Sequence, residues 1–166
     1  MSKPRLDPDE ALAGPLYVIA GLLVLMPTLD FVTSIGPAYF ASAQWRFAAI
    51  GLLSGHTLVP LLGLAIALGV AGVLKHGTVQ RILVALCLLL AVFFVVVSID
   101  FVLDVIQVRA TMPAEGRAAF ETASIRALVK HVLAAVAFWY LGWRARRMFP
   151  ARVRPRTPRT VQIVSK

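Results

Sequence analysis

Residues 82–99 read ILVALCLLLAVFFVVVSI, and Ser98 is the one hydroxyl side chain in this stretch. The hydrocarbon core of a bilayer is about 30 Å thick, so a helix rising about 1.5 Å per residue crosses it with roughly 20 apolar residues. The stretch continues past Asp100 and Asp104 to a polar connection that begins at Arg109. It therefore predicts a membrane-spanning helix over residues 82–108.

Three more apolar runs flank this helix and predict spans over residues 14–35, 47–74 and 124–148. The chain is 59% apolar and 15% charged, which is too apolar for a soluble domain of 166 residues. We expect an all-α integral membrane protein, a four-helix bundle of up-down-up-down topology with short interfacial helices in the outer loops, near residues 38–46 and 109–122. Residues 1–13 form a short N-terminal segment, and residues 149–166 form a basic, flexible tail.

The distribution of basic residues predicts the orientation. If both termini are cytoplasmic, that side holds Lys3, Arg5, Lys75, Arg81 and the eight basic residues of 144–166, whereas the outer side holds Arg46, Arg109, Arg117 and Arg126. Twelve against four obeys the positive-inside rule. A multi-pass protein of a bacterial-type inner membrane is the predicted localisation.

The net charge of +9 does not indicate nucleic-acid binding, because eight of the seventeen basic residues follow the last apolar run. Basic clusters next to a span bind anionic lipid headgroups. We expect membrane lipids as partners, with anionic headgroups at the C-terminal tail. Cys87 is the single cysteine, so a disulfide within the chain is excluded.

Ionisable residues inside the spans are the candidate functional residues. Each costs at least about 2.5 to 3.5 kcal/mol near the bilayer centre, so it should face a partner or water. With the predicted topology they all fall in the outer half of the bundle: Asp30, His56, Asp100, Asp104, Arg126, Lys130 and His131.

One interpretation of this polar layer is structural. Asp100 or Asp104 would pair with Lys130 or Arg126, and Asp30 would bond to His56 or His131. The layer would then fix the register of the helices without chemistry.

The alternative interpretation is a bound cofactor. In an up-down-up-down bundle the second and fourth helices lie diagonally across the core, so His56 and His131 are candidate ligands of one b-type haem. The arrangement resembles the diagonal-helix ligation of membrane cytochromes b, although those proteins carry paired histidines on each helix and this chain carries one. A metal held by histidine and carboxylate suits zinc, iron or copper, with Asp30, His56, Asp100, Asp104 and His131 as candidate ligands.

The sequence contains no hydrolytic motif, phosphate-binding glycine loop or thiol redox pair. We therefore expect a non-catalytic accessory or scaffold subunit of a larger inner-membrane complex of respiratory or photosynthetic type, bound to other integral membrane subunits and needing no cofactor. The alternative function is a small electron-transfer protein that binds haem b or a metal through His56 and His131.

Overall fold

The computed structural model describes the backbone of residues 8–148 and the side chains of residues 12–148. It contains five helices in this range: α1 (Pro8–Ser34), α2 (Ala43–His56), α3 (Leu58–Val73), α4 (Gly77–Thr111) and α5 (Ala114–Met148). The predicted basic tail over 149–166 lies outside the described residues.

Three of these helices, α1, α4 and α5, are long and apolar enough to cross a membrane. The helices α2 and α3 are long and apolar enough to cross a membrane only when taken together, and their axes differ by 45°. The all-helical fold with apolar, membrane-length helices is therefore confirmed. The arrangement as four inserted spans is taken up below as a proposal.

The second predicted span is broken at Thr57, between α2 and α3. Pro60 explains the break, because proline has no N–H to donate to the backbone oxygen of His56 and its ring crowds that oxygen. His56 is consequently the last residue of α2, at the bend.

The two loops that were predicted to carry interfacial helices differ from the prediction. Ser42 caps α2 by accepting a hydrogen bond from the Trp45 backbone N–H at 3.3 Å, so Trp45 and Arg46 belong to a transmembrane-length pair rather than to a separate interfacial helix. Likewise, α5 begins at Ala114 and runs without interruption, so residues 114–123 extend α5 by about 15 Å at about 1.5 Å per residue.

The helices α4 and α5 form an antiparallel hairpin that packs against α3. A cluster of buried side chains fills the space between them: Leu64, Leu68, Cys87, Ala91, Phe94, Ala134, Ala135 and Phe138. Gly142 permits the close approach of α4, since a Cβ there would lie 3.2 Å from the Cβ of Cys87. The hairpin and α3 therefore form the packed centre of the molecule.

The helix α1 lies at the edge. In the part of the chain that the structure describes, α1 contacts α2 and α3 and has no contact with α4 or α5. It approaches α3 closely at Gly63, where an added Cβ would lie 2.7 Å from the backbone oxygen of Ala20. Only 11% of the most apolar window of α1 is buried, against 33% for α5.

Candidate functional site

Asp30 and His56 connect α1 to the end of α2. His56 Nε2 donates to Asp30 Oδ2 at 2.9 Å, and its Nδ1 lies 3.0 Å from the backbone oxygen of Leu52. Both ring nitrogens of His56 are therefore engaged. This is one of the two bonds that the sequence allowed for Asp30.

Asp104 and Arg46 connect α4 to the start of α2. Arg46 Nη2 donates to Asp104 Oδ1 at 2.6 Å and Arg46 Nε donates to Oδ2 at 3.2 Å, which makes the pair bidentate. Arg46 Nη1 donates to the Phe40 backbone oxygen at 2.7 Å. The Asp104 side chain is only 3% exposed, so its carboxylate is buried, whereas the Arg46 side chain that pairs with it is 33% exposed.

The expected pairing of Asp104 with Lys130 or Arg126 is therefore wrong. The Arg46 side chain was placed in an interfacial segment by the sequence argument, but the Ser42 cap brings it into the first turn of α2. The sequence carried a usable signal, since serine directly before an apolar-periodic segment is a common helix N-cap.

His131 is fully buried in α5 and isolated from the carboxylates. Its ring lies between Phe94 and Phe101, with centroid distances of 5.9 and 5.8 Å. Backbone oxygens of Ile50 and Ala127 lie nearby, but neither ring nitrogen reaches a hydrogen-bond partner among the described residues. His131 is thus a buried imidazole with two unpaired nitrogens, and the expected bond to Asp30 is taken by His56.

Asp100, Arg126 and Lys130 are exposed and make no hydrogen bond or ion pair to a described side chain. The structure thus distributes the predicted polar layer over separate places: an Asp30–His56 bond, a buried Asp104, a buried His131 and three exposed charges. Within residues 12–148, no three His, Cys, Asp or Glu side chains lie close enough to hold a metal ion. The metal set predicted from Asp30, His56, Asp100, Asp104 and His131 is therefore not assembled.

Two further polar contacts were not predicted. Arg109 Nη2 and Glu121 Oε1 form an exposed ion pair of 2.7 Å across the α4–α5 turn. At the other end of the bundle, the Tyr17 hydroxyl lies 3.1 Å from His76 Nδ1. Each contact joins residues far apart in the chain and so has no local sequence signature.

Two shallow cavities lie on α1. One, of about 260 Å³, is at the C-terminal end of α1 and is lined by Ser34, Tyr39 and Trp45 among others. The second, of about 280 Å³, is an apolar groove between Met26, Pro27 and Val59. Neither of these two cavities is lined by His56 or His131, so neither offers a seat for a haem between them.

Comparisons with protein-family models, with curated proteins and with solved structures find no match to this chain.

Proposed function

We propose that this chain is a four-span protein of a bacterial-type inner membrane, with both termini cytoplasmic, and that it acts as a non-catalytic accessory subunit of a larger membrane complex. The α2–α3 pair serves as the second span, bent at Thr57. A respiratory or photosynthetic complex stays the proposed host.

The observation that carries this proposal is how the ionisable side chains are used. Asp30–His56, Arg46–Asp104 and Arg109–Glu121 each connect two helices or two ends of a hairpin. In these bonds the acids and bases hold helices in register, which is what a structural subunit requires of them.

A second observation supports docking to other subunits. The helix α1 packs on one side only, and its opposite face presents apolar side chains such as Val18, Leu25 and Val32, all more than half exposed. Transmembrane helices associate through the van der Waals contacts of such faces.

The test is to extract the protein from its native membrane in mild detergent and to measure the size of the particle and the identity of its companions. The proposal expects a complex larger than one 18.0 kDa chain, with defined co-purifying membrane subunits. A variant truncated after Met148 reports whether the basic tail contributes to assembly. A lone particle with full function would contradict the accessory role.

The alternative function, electron transfer by a haem or metal at His56 and His131, has one observation in its favour. His131 is a buried imidazole with both nitrogens unpaired, which suits a ligand atom. His56 does not fit as the second ligand, because its Nε2 already donates to Asp30. A haem at His131 would need a different axial partner. An absorption spectrum without a Soret band, together with a metal analysis, separates the two functions.

A further inference from the structure

We propose that the α4–α5 hairpin binds the phosphate of an anionic phospholipid between Arg81 of α4 and Arg146 of α5, at the end of the bundle that carries the α3–α4 turn. The proposal rests on the membrane insertion proposed above. It adds a lipid site on the folded bundle to the headgroup contacts expected for the tail over 149–166.

Arg81 and Arg146 lie on the same face of the hairpin. Gln80 is buried and its side chain donates to the Ala145 backbone oxygen at 3.2 Å, so these two residues mark where α4 faces α5. Consecutive helical residues are turned by about 100°. In two antiparallel helices, one step along each chain therefore turns both side chains toward the same face. Arg81 follows Gln80 and Arg146 follows Ala145, so both arginines border one side of the α4–α5 contact.

The two arginines also lie at similar height. Gly142 packs directly on Cys87, since a Cβ at Gly142 would lie 3.2 Å from Cys87 Cβ. Arg81 is six residues from Cys87 and Arg146 is four residues from Gly142, both toward the same end of the hairpin. At about 1.5 Å per residue, these separations are about 9 Å and about 6 Å. The difference of about 3 Å is shorter than an arginine side chain, so one phosphate can reach both guanidinium groups.

No described acid balances the charge at this place. Arg81, Arg146 and Arg147 are exposed, and none of them forms an ion pair within residues 12–148. The acids with described side chains lie in the other half of the bundle, and the nearest along α4 is Asp100. Arg147 lies 4.1 Å from the centre of the Trp143 ring, which adds a third guanidinium at the same end. Guanidinium groups bind phosphate oxygens through pairs of hydrogen bonds, so this cluster fits a phosphate.

The surface next to the arginines is apolar, which favours a lipid headgroup over a free phosphate. Val92 continues the face of Leu88 on α4, Trp139 continues that of Trp143 on α5, and both Val92 and Trp139 are more than half exposed. They lie farther from the end of the hairpin than the arginines do. A phospholipid places its phosphate and its acyl chains in this order, and tryptophan is common at the membrane interface between them.

Charge decides between the headgroups. A choline headgroup would bring a cation to three arginines, whereas phosphatidylglycerol brings its phosphate without one. We therefore expect the site to select phosphatidylglycerol over phosphatidylcholine.

The experiment is native mass spectrometry of the full chain in detergent, titrated with phosphatidylglycerol or with phosphatidylcholine of identical acyl chains. The unaltered chain should bind phosphatidylglycerol at least about fivefold more tightly. Arg81→Gln and Arg146→Gln should each lower that affinity about fivefold, which is the contribution of one basic residue near anionic headgroups. Arg126→Gln is the matched control, because it removes an exposed arginine from the other half of α5, and it should leave the affinity unchanged.

A second variant separates the hairpin site from the basic tail. It is the full chain with glutamine in place of the five basic residues of the tail: Arg152, Arg154, Arg156, Arg159 and Lys166. This variant should still prefer phosphatidylglycerol, and Arg81→Gln should weaken binding by the same factor in this background.

The fluorescence of Trp143 reports where the lipid binds. In the full chain with Trp45 and Trp139 replaced by phenylalanine, reconstituted in phosphatidylcholine vesicles, Trp143 is the one tryptophan left. A minor fraction of phosphatidylglycerol brominated near its headgroup should quench Trp143 more than the same fraction of brominated phosphatidylcholine does. Arg81→Gln should remove this difference.

Three results would overturn the proposal: equal affinities for the two lipids, a loss of affinity only in the tail variant, or displacement of the lipid by an equal concentration of inorganic phosphate. These results leave the accessory role intact, because that role is tested by the companions of the protein in its native membrane. A failure of membrane insertion is detected separately, as protein that does not enter the vesicles.

Discussion

Arg46 and Asp104 form the best-defined polar contact in the bundle, with both guanidinium-carboxylate bonds made and the acid buried. Asp104→Ala leaves the guanidinium with the Phe40 oxygen as its remaining partner. Breaking a fully buried pair costs about 3 to 5 kcal/mol, and because Arg46 is 33% exposed we expect a loss of about 2 kcal/mol in the free energy of unfolding.

Unfolding of the purified protein in detergent, followed by circular dichroism, measures this loss. Asp100→Ala is the control, since it removes an exposed acid four residues away and should change the free energy by less than about 0.5 kcal/mol. If both substitutions changed the free energy of unfolding equally, the ion pair with Arg46 would add no stability beyond the effect of removing one negative charge.

Replacing His131 should stabilise the protein, in contrast to replacing Asp104. An unpaired buried polar group costs about 1 to 3 kcal/mol, and leucine is close to histidine in volume. His131→Leu should therefore raise the free energy of unfolding by about 1 kcal/mol. The same measurement in detergent checks it. A loss of stability, or the disappearance of an absorption band, would indicate that the imidazole holds a ligand.

At this scale the sequence predicts which residues matter better than it predicts their partners. Asp30, His56, Asp104 and His131 stand out because each is ionisable within an apolar run. Their partners depend on helix rotation, which a 3.6-residue period leaves open when a helix is apolar on all sides. The pairing of Arg46 with Asp104 was not predicted for this reason. Predicting it requires knowing that α2 starts at Ala43 and that α2 packs against α4.

The contact between α1 and α3 depends on Gly63. A Cβ at this position would meet the Ala20 backbone oxygen at 2.7 Å and side-chain carbons of Leu23 and Val24 at 3.0 Å, and a backbone atom cannot move aside cheaply. Gly63→Ala should force α1 away from α3 and lower the free energy of unfolding by about 1 to 3 kcal/mol.

Limited proteolysis of the α1–α2 connection and unfolding in detergent measure this effect. Gly69→Ala in the same helix is the matched control, because a Cβ there meets nothing within 4 Å. It should leave stability unchanged or slightly raised, since alanine favours the helix more than glycine does. A similar loss for both substitutions would mean that the Gly63 contact is not specific.

Helix boundaries show where sequence patterns are informative. The ends of α1 at Ser34 and of α3 at Val73 lie one residue from the predicted ends of the first two spans, where a glycine and a polar turn follow. The missed extension of α5 to Ala114 has a physical cause. Residues 114–123 have no apolar stripe, so hydropathy assigns them to a separate surface segment rather than to the span. In the structure they continue α5, and Glu121 pairs with Arg109 of α4.

Across the whole molecule, the acids with described side chains are concentrated at one end, whereas the described bases are divided equally between the two ends. All the acids with described side chains lie in the half that carries the α4–α5 turn: Asp30, Asp100, Asp104, Glu115 and Glu121. Five described bases lie in the same half: Arg46, Arg109, Arg117, Arg126 and Lys130. The other five lie towards the opposite end, near the α3–α4 turn and the end of α5: Lys75, Arg81, Arg144, Arg146 and Arg147. Arg147 lies 4.1 Å from the centre of the Trp143 ring, an arrangement typical of a membrane interface.

The positive-inside rule leads to the last prediction, that Gly77 and Glu115 lie on opposite sides of the membrane, with Gly77 in the cytoplasm. In the full sequence, twelve Lys and Arg residues fall on the side of the α3–α4 turn and four on the side of the α4–α5 turn. Each position lies in the first turn of a helix, Gly77 in α4 and Glu115 in α5, next to the preceding loop. A reporter fused after Gly77 should be active only in the cytoplasm, and one fused after Glu115 only outside, because short basic segments are retained on the cytoplasmic side. Replacing Lys75 and Arg81 by glutamine should weaken this preference, whereas replacing Arg109 and Arg117 should not. A cytoplasmic signal at Glu115 would contradict the four-span topology.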